Sequence, residues 1–370
     1  MIRRLGLMGI GAAMLILSIA LAPAAARDAA AHTWSPFVLV TGLLLIGVTA
    51  NQDGVFAAAA RWLGQIARGP TQLYLSAMAL TAVVTVLLNL DTAVAFLTPV
   101  LVHAARRARA GELRFLYGCV FMANAASLLL PGSNLTNLLV LSQEHTTGSV
   151  FLARMVAPWT ASVLVTLVIV GLAFPSRSDD GEDPDERIRA VQPLSLVAVA
   201  IAILLVLVLA DAALPVLAVG SWVTAARLVQ RRIRPAQVRD GVDAVSLLGV
   251  FLIAVALGTL ARTWTFPGDL MAHASEVASA AIGALAAVLV NNLPAAVLLA
   301  SRVPAHPRAL LFGLNIGPNL AVTGSLSALI WWQAARSVGA RPSARRYSMV
   351  GVVLVPLTLA ATLAAAHLTG

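Results

Sequence analysis

The chain reads as an all-α polytopic membrane protein built from two inverted repeats, each holding a re-entrant hairpin and a broken transmembrane helix. Three observations predict this. Hydrophobic residues make up 59% of the chain and charged residues 11%, with a mean hydropathy of +0.89, values outside the range of soluble globular domains. Polar residues and Gly-Pro steps interrupt the apolar runs in paired places along the two halves. Arginine flanks the run from Thr71 to His103 on both sides, through Arg61 and Arg68 before it and Arg106, Arg107 and Arg109 after it. Arginine marks the cytoplasmic face, and the run is too short for two full spans of about 20 residues each. It is therefore read as a hairpin that enters and leaves on one side.

Residues 1–34 come first, with Arg3-Arg4, an apolar run from Leu5 to Leu21, and Pro23-Ala24-Ala25-Ala26. The pattern fits a secretory signal with a small-residue cleavage site, and equally an uncleaved first span with its N-terminus inside. Either way the chain is expected to emerge outside near Arg27-Asp28 and to return inward from Pro36 to Ala50. Val55 to Ala67 sets Phe56, Trp62, Leu63 and Ile66 against Arg61, Gln65 and Arg68. That spacing suits a helix lying at the membrane surface, or a continuation of the preceding span; Asn51-Gln52-Asp53-Gly54 favours a break.

The first repeat, residues 35–174, carries the hairpin at 71–103. Its tip, Asn89-Leu90-Asp91-Thr92, puts a carboxylate, amide and hydroxyl into an apolar run. A charge at the bilayer centre costs about 3 kcal/mol on the insertion scale, so such residues usually face a partner, a cavity or a transported ion. The broken span at 115–143 follows, with Asn124 and Ser127 before Pro131-Gly132 and then Ser133, Asn134, Thr136 and Asn137. A Pro-Gly step inside a span frees backbone groups, and the amides and hydroxyls beside it can satisfy them. Local capping accounts for Ser133, Asn134, Thr136 and Asn137 as well as ligand binding does. Asp91 has a similar alternative as a helix cap.

Residues 175–192 form a polar, acidic linker expected on the cytoplasmic side, and residues 193–370 the second repeat. Spans at Leu194–Ala210 and Leu214–Val229 lead to Arg227, Arg231, Arg232, Arg234 and Arg239, read as another cytoplasmic marker. Val242 to Thr263 goes outward. A second hairpin at 278–301 holds Asn291 and Asn292, and a second broken span at 310–335 holds Asn315, Asn319, Thr323, Ser325 and Ser327. Tyr347 to Leu368 closes the chain.

Asn89-Leu90-Asp91-Thr92-Ala93-Val94 recurs loosely as Asn291-Asn292-Leu293-Pro294-Ala295-Ala296, and Gly132-Ser133-Asn134-Leu135-Thr136 as Gly324-Ser325-Leu326-Ser327-Ala328. On this path Arg27, Arg154, Arg262, Arg302 and Arg308 fall outside and the other arginines inside, so the second hairpin enters from the opposite face. Paired interruptions in inverted halves point to a secondary transporter with its site near the midplane. A channel with re-entrant filters shows breaks too. Broken-helix ends, Asn and Ser/Thr offer both donors and acceptors to an oxygen-rich solute, while Asp91 can bind a proton or a sodium ion.

Other classes are disfavoured. The net charge of +9 sits in short arginine clusters between spans rather than in a nucleic-acid-binding patch. There is no lysine for Schiff-base chemistry, and the single Cys119 permits neither an intramolecular disulfide nor a Cys-x-x-Cys site. His103, His145, His273 and His306 are scattered without acidic partners at ligand spacing, so neither an enzyme nor a metal site is expected.

As an ordered set, Asn89-Leu90-Asp91-Thr92-Ala93 with Thr98-Pro99, Ala123-Asn124-Ala125-Ala126-Ser127 with Ser133-Asn134-Leu135, Asn291-Asn292-Leu293-Pro294, and Gly317-Pro318-Asn319 with Gly324-Ser325-Leu326 resemble the arsenical pump membrane protein family. That family belongs to the ion transporter superfamily, with the sodium/proton antiporters and dicarboxylate symporters, and the resemblance runs from about Phe37 to Leu363. It implies arsenite or antimonite efflux across the cytoplasmic membrane, driven by proton exchange or by a separate ATPase subunit, and it admits a homodimer. The family pattern has aspartates at the positions of Asn124 and Asn315 and a lysine at that of Asn319; here all three are amides. A sodium- or proton-coupled anion carrier, a sodium/proton carrier and a non-transporting scaffold or sensor are the alternatives.

Overall fold

The structure is a computed structural model that describes residues 2–141, 147–175, 193–209 and 211–369. His145 and the acidic stretch of the expected linker lie outside these residues. Among the described residues every regular element is a helix, and five helices are long and apolar enough to cross a membrane.

The first half begins with α1 (Ile2–Leu21) and α2 (Pro23–Gln52), separated by Ala22 alone. The stretch expected to emerge outside near Arg27-Asp28 is thus helical, and α2 does not begin at Pro36. Pro23 is pre-set for a first helical turn, and the alanines that follow are the strongest helix formers. At 1.5 Å per residue, α2 is about 45 Å long against a hydrocarbon core of about 30 Å, which leaves its first turns outside the core. Next comes α3 (Val55–Ile66), set off from α2 by Gly54 at φ +76°. Its Phe56 is buried against Phe96, ring centroids 5.8 Å apart, while Trp62 is exposed, so α3 packs one face on the hairpin. The hairpin is α4 (Pro70–Leu87) and α5 (Leu90–Arg107), and the broken span is α6 (Glu112–Ala126), a 3-10 turn at Pro131–Ser133 and α7 (Leu135–Leu141). The half closes with α8 (Gly148–Ala173), followed by α9 (Pro193–Val208) and α10 (Ala213–Val229).

In the second half, α11 (Pro235–Val242) and α13 (Phe266–His273) are short helices with no expectation behind them; each carries proline in its first turn. Between them lies α12 (Ala244–Thr263). The second hairpin is α14 (Glu276–Val290) with a short α15 (Asn292–Leu299). The second broken span is α16 (Pro307–Ile316), 3-10 turns at Gly317–Leu320 and Val322–Gly324, and α17 (Leu326–Ser337), before α18 (Ala344–Thr369).

The repeats exchange partners. α1 packs on α12 and α10 on α2, while α5 packs on α17 and α15 on α7. Glycine meets glycine at both of the first two crossings: a Cβ on Gly220 would lie 2.5 Å from the Gly42 carbonyl oxygen, and one on Gly11 would lie 2.7 Å from that of Gly249. Such close approach is how helices associate where lipid supplies no hydrophobic drive. Beside the α2–α10 crossing, Asp53 accepts hydrogen bonds from Arg227 Nε (3.1 Å), Arg227 Nη2 (2.7 Å) and Ser195 Oγ. Arg227, read from the sequence as a face marker, is 4% exposed and joins α2, α9 and α10. A guanidinium reaches a buried carboxylate with two donors, which the arginine count of a loop does not reveal.

Side-chain contacts fix the inversion. Arg106 pairs with Glu112 and donates from Nη1 to the Val338 carbonyl at 2.7 Å, and Tyr117 Oη accepts from Ser343 N at 2.7 Å. The end of the first hairpin therefore lies on the same face as the end of the second broken span. From that face α18 runs to His367, whose Nε2 meets Glu276 Oε2 at 3.0 Å at the start of the second hairpin. At about 39 Å for its 26 residues, α18 reaches the opposite face, so the two hairpins open on opposite sides.

Candidate functional site

Each broken span leaves carbonyls without helical partners, and the span that follows it in the chain supplies an aromatic donor. Trp159 Nε1 of α8 donates to the Ala126 carbonyl at 3.1 Å, and Tyr347 Oη of α18 donates to the Pro318 carbonyl at 3.1 Å. Asn137 Nδ2 adds bonds to the carbonyls of Ser127 (2.7 Å) and Leu130 (3.2 Å). This is how non-helical backbone is tolerated at membrane depth.

The two breaks meet in a buried amide cluster. Asn315 Oδ1 accepts from Asn134 Nδ2 at 2.6 Å and from Ser127 Oγ at 2.8 Å, while Asn315 Nδ2 donates to Asn137 Oδ1 and to the Leu311 carbonyl, both at 2.8 Å. Asn124 Nδ2 donates to Asn319 Oδ1 at 2.7 Å. Of these six side chains only Asn134 keeps measurable exposure, at 6%. None carries a charge.

The hairpin tips reach this region. Asn89 caps α5 by accepting from Thr92 N at 2.7 Å, and Asp91 Oδ1 accepts from Ser327 Oγ at 2.5 Å, which ties the first tip to α17 of the other repeat. Asn291, at φ +79°, accepts from Leu293 N at 3.3 Å and donates to the Thr323 carbonyl at 3.1 Å. Three helix N-termini, those of α5, α15 and α17, are thus tied together across the repeats. Each presents a partial positive charge.

The structure divides the sequence-derived residues by role. Asn124, Asn134, Asn137, Asn315 and Asn319 belong to the amide cluster, and Asp91 pairs with Ser327. Ser325 caps α17 by accepting from Ala328 N at 3.1 Å, and Ser133 turns away to the Val86 carbonyl at 3.2 Å. The Thr323 side chain is exposed, Asn292 is buried, and Thr136 is buried with its hydroxyl unpartnered. Sequence reasoning left out Ser127, Trp159 and Tyr347 as working parts. Ser127 sits in the quoted Ala-Ser step; for the aromatics the available signal is that an indole N–H or phenol O–H inside a span needs a partner.

A solved structure of the Alcanivorax borkumensis YdaH transporter, described as having an unusual topology, aligns with a TM-score of 0.56 at 12% identity over 98% of this chain and 96% of that one. The arsenical pump membrane protein of Escherichia coli is 24% identical over 369 residues, covering 90% of this chain and 86% of that protein. An uncharacterized transporter of Mycobacterium tuberculosis is 23% identical over 367 residues, covering 88% and 84%. The citrate transporter family CitMHS matches residues 1–331. This membrane-spanning chain is a transporter, and it belongs to the CitMHS citrate transporter family.

Proposed function

We propose that the protein is a secondary transporter that exports a small uncharged oxyacid, with arsenite or antimonite the first candidate. The observation that carries this reading is the Asn315 cluster: amides from both repeats and the Ser127 hydroxyl converge with no side-chain cation among them. Arsenite is a neutral hydroxide at physiological pH, and its O–H groups match centres that both donate and accept. A multiply charged carboxylate is more commonly met by arginine or lysine. The similarity to the E. coli arsenical pump protein supports the same choice.

Asp91 is the coupling residue in this reading, exchanging a proton or a sodium ion as the carrier turns. The protein sits in the cytoplasmic membrane with its N-terminus inside, and its partners are lipid, a second copy of the chain and, where efflux is ATP-driven, an ATPase subunit. A second reading, a coupled carrier of organic anions, is favoured by the helix N-termini of α5, α15 and α17 and by the description of the family. Expression in an arsenite-sensitive host should lower cellular arsenic. Unchanged accumulation with the protein confirmed in the membrane, together with citrate counterflow in proteoliposomes, would establish the anion carrier instead.

A further inference from the structure

We propose that the Asn124–Asn319 amide pair is a binding site for one neutral O–H group, which donates to Asn124 Oδ1 and accepts from Asn319 Nδ2. The assignment of its occupant rests on the export reading: a hydroxyl of the uncharged solute in the loaded carrier, and water in the empty one.

Hydrogen-bonding capacity sets this pair apart from the four side chains beside it. Asn315 uses both ends of its amide on Asn134, Ser127, Asn137 and the Leu311 carbonyl, Asn137 Nδ2 holds two carbonyls, and Asn134 Oδ1 accepts from Thr136 N at 3.1 Å. A solute binds there only by breaking bonds the cluster already makes. In the pair, Asn124 Nδ2 donates to Asn319 Oδ1 at 2.7 Å, which leaves Asn124 Oδ1 and Asn319 Nδ2 buried and without a partner among the described residues. Both residues are fully enclosed. Turning both amides over together exchanges their roles but again leaves one acceptor and one donor, so the missing partner has the same character either way.

The two residues are also held in place. Asn124 lies in the last turn of α6, and Asn319 lies in the 3-10 turn Gly317–Leu320, where Tyr347 Oη holds the Pro318 carbonyl and the Asn319 carbonyl leaves no room for a Cβ on Gly351. With α18 pressed against its backbone, Asn319 needs little further ordering when a ligand arrives.

Leaving a buried donor and a buried acceptor unpaired is costly, so the occupant has to answer both. An ionised carboxylate brings acceptors only and sets negative charge against Asn124 Oδ1, whereas a cation brings no lone pair to Asn319 Nδ2. The hydroxyl of water or of an uncharged oxyacid gives one bond and takes the other. The pair therefore reads the protonation state of the solute, accepting the neutral acid and losing the match once that acid is ionised.

The test is a pair of structures of the full-length chain at neutral pH, without and with arsenite, the arsenic being located by its anomalous scattering. An oxygen should bridge Asn124 and Asn319 in both, as water in the first and bonded to arsenic in the second. Water in both, with arsenic bound elsewhere, overturns the role in solute binding; no oxygen between the amides in either overturns the site. In binding assays Asn124→Leu and Asn319→Leu should each weaken the hold on arsenite, and on boric acid as a second neutral hydroxide, by about tenfold or more. Should a variant fail to reach the membrane, the wild-type structures decide alone. Boric acid bound through the pair, with arsenite not bound at all, would remove arsenite as the cargo and leave the site standing. Arsenite exported by both leucine variants at the wild-type rate would remove the site and leave the export reading standing.

Discussion

Asn124 and Asn319 stand at matching positions of the two repeats, equally far beyond Gly118 and Gly313, and the Nδ2 of one donates to the Oδ1 of the other at 2.7 Å. Equivalent residues can touch only near the axis that relates them, so the pseudo-twofold axis of the molecule passes through this amide pair. Asn124→Leu or Asn319→Leu leaves one buried amide facing an apolar side chain, an expected loss of about 1–3 kcal/mol. The double variant should cost less than the sum, as a thermal-unfolding double-mutant cycle will show. Strict additivity would mean that the two amides do not depend on each other.

The Arg106 bond to the Val338 carbonyl gives a topology prediction. In a Cys119→Ser background, cysteines placed at Arg109 and Arg341 should be labelled from the same side and one at Val303 from the other. Labelling of 109 and 303 from one side would contradict opposed hairpins.

At the α2–α10 crossing, Gly220→Ala drives a methyl to within 2.5 Å of the Gly42 carbonyl. Backbone does not yield as a flexible side chain does, and overpacking of this kind costs about 1–3 kcal/mol. The variant should melt earlier in detergent, whereas Gly69→Ala, where an added Cβ meets open space, should not.

Removing one member of the Asp53–Arg227 pair strands a buried charge, with an expected cost of about 3–5 kcal/mol. Asp53→Asn and Arg227→Gln should each lower yield and melting temperature. Asp53→Leu combined with Arg227→Leu should recover much of the loss. A double variant as weak as the worse single one would show that the pair holds α2, α9 and α10 by its hydrogen bonds rather than by cancelling charge.

The breaks were legible in the sequence because their signals are local. Asn89 and Asp91, the Pro131-Gly132 step, Asn291-Asn292 and Gly317-Pro318 all interrupt apolar runs and all coincide with helix ends. The partners they find were not legible. Ser327 lies far along the chain from Asp91, as Asn315 does from Asn134, so nothing in either neighbourhood records the bond. The helix through Arg27 and Asp28 was not legible either, because charge was weighed above the alanines that surround it. Nor was the burial of Arg227: a residue type that marks loops on average is here held inside by one carboxylate.

The exchanged crossings, α1 on α12 and α10 on α2, bear on how the protein comes to be made. Gly11 is synthesised long before Gly249, and at about 5–20 residues per second the interval is on the order of ten seconds or more. During that time α1 stands in the bilayer with the face that will meet α12 turned to lipid, and α2 likewise waits for α10. Assembly is thereby deferred until the second repeat is inserted, so a nascent chain halted between the halves should remain open to the membrane's quality-control proteases. Co-expression of the halves as separate polypeptides should rescue each from that fate.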